Sequence, residues 1–69
     1  MREKLAVNKF GMALVVLYDD AMKVHNFYYY SLSNNIPDSD LLICTTKESK
    51  KVIPAFKELC KNLELVEVL

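Results

Sequence analysis

One glycine, two prolines, two cysteines, one histidine and no tryptophan stand among the 69 residues of this chain. Each scarcity removes a class of chemistry. Gly11 is the sole glycine. Neither a G-x-G-x-x-G fingerprint nor a Walker loop can be built, because both use several glycines to bring backbone N–H groups onto a phosphate. Structural zinc wants four ligands, commonly Cys and His, and this chain holds too few. The reading therefore includes no metal and no cofactor. A single disulfide would be a thin framework for a secreted mini-protein. Cys44 and Cys60 accordingly read as reduced thiols in a cytoplasmic protein.

Long apolar runs are also missing. The longest, Met12 to Tyr18, is far too short to span a bilayer. Met1 to Lys9 is charged and lacks the apolar stretch of a signal peptide. The expectation is a chain with no membrane association. With so little Gly and Pro there is little free linker, so residues 1–69 read as one small domain.

What is present is apolar surface. Hydrophobic residues make up 52% of the chain, too many for a disordered segment. Net charge is zero, which by itself points to neither nucleic acid nor membrane. The distribution is uneven. Between residues 47 and 61, five lysines stand against Glu48 and Glu58. Between 10 and 46, four aspartates stand against Lys23.

Periodicity predicts an α+β fold: a small mixed four-stranded sheet with one main helix packed on one face. Met1 to Lys9 reads as a short helix or an extended arm. Phe10 to Tyr18 is nearly all apolar and β-rich, which suits a strand covered on both faces. Asp19-Asp20 supplies turn chemistry. Residues 21–33, rich in aromatics, favour a second strand over a helix, giving an N-terminal β-hairpin. Asn34 to Ser39 reads as a loop around Pro37. Asp40 to Cys44 is then a third strand, and Leu63 to Leu69 a fourth. The intervening helix is predicted to open on a Thr45-x-x-Glu48 capping box. It would bury Val52, Phe56, Leu59, Cys60 and Leu63. Pro54 predicts a kink or break between Lys50 and Pro54. A β-α-β unit within one sheet implies a parallel crossover.

Chemistry is sparsely signalled. Serine-hydrolase catalysis would have to use His25, and no motif sets a serine beside it. Cys44, at a strand end before a helix start, is the one thiol placed for activation. Its spacing to Lys50, Cys44-x5-Lys50, resembles the C-x5-R loop of cysteine phosphatases and rhodanese-like proteins. Lys replaces Arg, and the loop has no glycine. A Cys44-based enzyme is thus a remote alternative.

The leading expectation is a non-enzymatic regulatory or inhibitory protein acting through a protein partner, of a size that suits a virus- or plasmid-encoded modulator. One helix covers only one sheet face, so a homodimer or an obligate partner is expected to cover the other. Partner-binding residues are assigned to Phe27, Tyr28, Tyr29 and Tyr30, because tyrosines are favoured at interfaces, and to Lys50 and Lys57. The alternative is nucleic-acid binding, with Lys23, His25, Phe27 and Tyr29 alternating onto one strand face and lysines on the helix neutralising phosphates.

Overall fold

The computed structural model describes residues 2–33 and 41–68. Five strands form one sheet: β1 (Arg2–Val7), β2 (Met12–Asp19), β3 (Val24–Ser31), β4 (Leu42–Thr46) and β5 (Val66–Glu67). Their order across the sheet is β4-β3-β2-β1-β5, and every neighbouring pair is antiparallel. One helix, α1 (Val52–Asn62), follows a 3-10 turn over Ser49–Lys51. The chain is an α+β fold with a helix on one sheet face, as the periodicity predicts.

Three features of the sheet differ from the sequence reading: among the described strands it is antiparallel throughout, not mixed with a parallel crossover. The N-terminal segment is a full strand, which raises the count from four to five. And β4 and β5, which flank the helix, do not pair with each other. They run in the same direction but sit at opposite edges, because β5 adds to β1 instead. The connection through α1 therefore crosses the whole sheet. The loop expected over Asn34 to Ser39 lies outside the described residues.

The hairpin at Asp19 forms as expected, and its chemistry is visible. The Asp19 carboxylate accepts the backbone N–H groups of Ala21 and Met22, and the Asp19 carbonyl accepts that of Lys23. The β1–β2 turn is held by Asn8. Its Oδ1 accepts the N–H groups of Phe10 and Met12, while its Nδ2 donates to the Leu63 carbonyl just past the helix. Gly11 sits in this turn at φ +77°, where a side chain would be strained.

Side-chain alternation sorts the residues. Ala6, Leu14, Val16 and Phe27 face α1 and form one core with Val52, Phe56 and Leu65. Leu59, Cys60 and Leu63 pack against it, so the helical stripe read from the spacing is the buried one. Lys4 reaches across the helix layer, its ammonium 5.9 Å from the centre of the Phe56 ring and 2.8 Å from Glu67. The opposite face holds a second cluster. Ala13, Val15 and Tyr30 are buried there, with Leu5, Val7, Leu17, Tyr28 and Leu41 around them. Tyr30 stands opposite Ala13 and Tyr28 opposite Val15. Large rings beside small neighbours let this face supply part of its own cover.

The capping box does not form. Strand β4 runs on to Thr46, and Thr45 donates instead to Asn26 across the sheet. Glu48 pairs with Lys51 at 2.7 Å, and its own N–H bonds the Thr46 hydroxyl. The expected break before Pro54 is the 3-10 turn. Because α1 begins at Val52, Pro54 falls in the first helical turn, where backbone N–H groups have no partner within the helix. Pro54→Ala should consequently change stability by less than about 1 kcal/mol, against the roughly 3 kcal/mol of an interior proline. Urea unfolding measures the difference.

The shortage of glycine leaves two others of the described residues in the left-handed region, Lys23 at φ +60° and Glu64 at φ +56°. Glu64 follows α1 at the position usually taken by glycine. The Leu65 N–H bonds the Cys60 carbonyl there, closing a Schellman motif. Relief of left-handed strain outweighs the added freedom of the unfolded chain, so Glu64→Gly should raise stability by up to about 1 kcal/mol. Lys23→Gly should act alike, and an unchanged thermal midpoint for both would contradict this account.

Candidate functional site

The residues assigned to partner binding do not gather on one surface. Phe27 is fully buried beneath α1, at 0% exposure, so it serves the core and offers no contact area. Tyr29 shares that face and packs against the same core. Tyr28 and Tyr30 point to the other face, where Tyr30 is itself buried. Lys50 and Lys57 are exposed, but they belong to the helix layer. Of the platform expected for nucleic acid, His25, Phe27 and Tyr29 lie on the face that α1 covers, while Lys23 is exposed in the turn before β3. Bases have no access to Phe27 or to the His25 ring.

The thiols are equally plain. Cys44 is in the body of β4, half-buried against the core, and α1 opens only at Val52. The placement at a helix start that an activated Cys44 requires is not there. Cys60 lies on the buried side of α1. Burial pushes its thiol up from the ordinary value, and the Glu67 carboxylate adds to the effect. Among the described residues, no group of three or more His, Cys, Asp or Glu could hold a metal ion, and no helix is long and apolar enough to cross a membrane.

One polar constellation does assemble, and no motif announces it. His25 begins the helix-facing row of β3 and is only 5% exposed. Its Nδ1 lies 2.6 Å from Glu3 Oε2, and its Nε2 lies 3.4 Å from Ser49 Oγ. Tyr18, paired with His25 across the sheet, tilts against the imidazole at 4.8 Å between ring centres. With the Nδ1 proton donated to the Glu3 carboxylate, Nε2 is left as an acceptor for the Ser49 hydroxyl. This corrects the expectation that no serine is set beside His25.

Each member arrives by a local device. Between Arg2 and Lys4 the β1 register slips by one residue against β2. A bulge of this kind re-aims side chains. It lets Glu3 reach His25 while Lys4, its neighbour, reaches Phe56 and Glu67. Ser49 comes from the 3-10 turn that carries the chain from β4 into α1. The sequence carries no signal for the bulge, and reading Glu48 as a helix cap hid the role of Ser49.

A second feature is β4, which is an edge of the sheet among the described residues. It is an edge strand of five residues, Leu-Ile-Cys-Thr-Thr, with no charge and no proline. Leu42 and Ile43 are 41% and 47% exposed. The opposite edge, β5, is only two residues long.

The Cys60 environment gives a direct test. Its raised thiol should alkylate with iodoacetamide more slowly than free cysteine at pH 8. The lag should shrink as pH rises and vanish in denaturant, because the thiolate is the reacting form. No family model, curated protein or solved structure matches the chain.

Proposed function

We propose that this chain is a non-enzymatic regulatory or inhibitory protein that works in the cytoplasm by occupying a protein partner, and that it pairs with a second copy of itself along β4. The β4 edge carries this reading. Natural edge strands are usually blunted by charge, proline, shortness or cover. This one is uncharged, five residues long and presents Leu42 and Ile43 to solvent. Its outer row of N–H and C=O groups is a template for strand addition. Pairing of β4 with its own copy, antiparallel about a two-fold axis, would join two five-stranded sheets into one and cover both leucine–isoleucine pairs. Val66 and Val68, exposed beside the other edge, offer further apolar contact to a different partner.

Ile43→Lys is the sharp variant, because the side chain is exposed and a lysine on an edge strand disfavours pairing with another strand. The native chain should sediment as a dimer at micromolar concentration. Ile43→Lys should weaken self-association at least about tenfold, roughly 1.4 kcal/mol, with an unchanged circular dichroism spectrum. A native chain that stays monomeric, or a dimer indifferent to Ile43→Lys, would sink the β4 pairing.

A further inference from the structure

The Glu3–His25–Ser49 constellation goes beyond partner binding. A nucleophile needs a base within hydrogen-bond reach and a third group that orients the base. All three are present in the order that acyl transfer requires: carboxylate on Nδ1, hydroxyl on Nε2. The three come from β1, β3 and the turn before α1, so the fold itself assembles them.

Exposure is divided in a useful way. The imidazole is shielded by Tyr18 on one side and by the helix layer, while Ser49 is open to solvent. The base is thus protected from bulk water and the attacking oxygen is accessible. Ser49 also opens the turn that leads directly into the eleven residues of α1. The 3.4 Å separation between Oγ and Nε2 is within the looser range that such pairs show without a bound reactant.

We propose that Ser49 is a His25-activated nucleophile that accepts an acyl group from an activated carboxylic ester. In this step Ser49 Oγ forms a bond to the carbonyl carbon as its proton passes to His25 Nε2. The bond from that carbon to the leaving oxygen breaks, and the proton then moves from Nε2 to the departing alkoxide or phenoxide. The product is an O-acyl serine and a free alcohol or phenol, with no oxidant or further reactant needed. Glu3 is a positioning residue, since among the described residues its carboxylate bonds the imidazole. A stoichiometric acyl adduct is compatible with a protein that acts by occupancy, and the inference does not depend on β4 pairing.

The probe is p-nitrophenyl acetate, with peptide mapping by mass spectrometry to separate serine esters from lysine amides. Ser33, exposed and hydrogen-bonded to Ser31 among the described residues, is the internal control within the same molecule. Ser49 should acetylate at least tenfold faster than Ser33 in the native chain. Ser49→Ala, a change at an exposed position, should remove that fast phase and leave the lysine background. His25→Gln should bring Ser49 down to the rate of Ser33. Because His25 is buried and its variant could misfold, the comparison of Ser49 with Ser33 in the native chain decides the matter. Equal rates at the two serines, or a fast phase that survives Ser49→Ala, would overturn the proposal.

Discussion

One helix of eleven residues has to cover a sheet five strands wide. The helix is about 16 Å long at 1.5 Å per residue. The sheet measures roughly 19 Å from edge to edge at about 4.8 Å per strand. A helix between opposite-edge strands therefore falls about 3 Å short of the sheet's full width. Phe56, fully buried on α1, faces the central row of Leu14, Val16 and Phe27, where the apolar surface is greatest. The margins are completed by other means. Lys4 spans from β1 over Phe56 to Glu67, and Asn8 ties the first turn to the carbonyl of Leu63. At the remaining corner, the polar set of Glu3, His25 and Ser49 closes the start of the helix layer. The candidate site and the fold share one origin: the helix cannot cover that corner with apolar residues alone.

Scarce glycine shapes the connections. Gly11 is spent in the one turn where φ is +77°. The hairpin after β2 and the exit from α1 also need left-handed residues, and Lys23 and Glu64 fill them. Side-chain and backbone hydrogen bonds compensate, from the Asp19 carboxylate in one case and the Leu65-to-Cys60 bond in the other. The β2–β3 pairing that the first connection closes runs without a register shift. Strict register in turn keeps His25 opposite Tyr18 and Thr46, on the covered face.

Much of the fold was legible from spacing. The stripe Val52, Phe56, Leu59, Cys60 and Leu63 has helical period, and the run Met12 to Tyr18 is apolar on both faces because both faces of β2 are buried. The aromatic stretch from Phe27 to Tyr30 reads as strand for the same steric reason that it is one. The candidate site was almost illegible. Which face of β3 would meet the helix depends on a partner far along the chain. Alternation alone put Phe27 and Tyr28 on opposite faces without saying which was the inside. The bulge that aims Glu3, and the extension of β4 that moves Thr45 out of the capping position, both arise from strand pairing.

The sequence by itself determined the class of structure: one small apolar α+β domain with one amphipathic helix, too poor in Gly, Cys and His for phosphate loops or zinc. These follow from composition and local period, which act over a few residues. Only the tertiary structure decided strand order, with β5 on the far edge beside β1, because pairing energies between distant strands are not written in either strand alone. It also decided what meets at the corner of the helix layer. Residues 3, 25 and 49 stand far apart in the chain, and their side chains are brought within hydrogen-bond distance by three independent events: a bulge, a hairpin register and a turn.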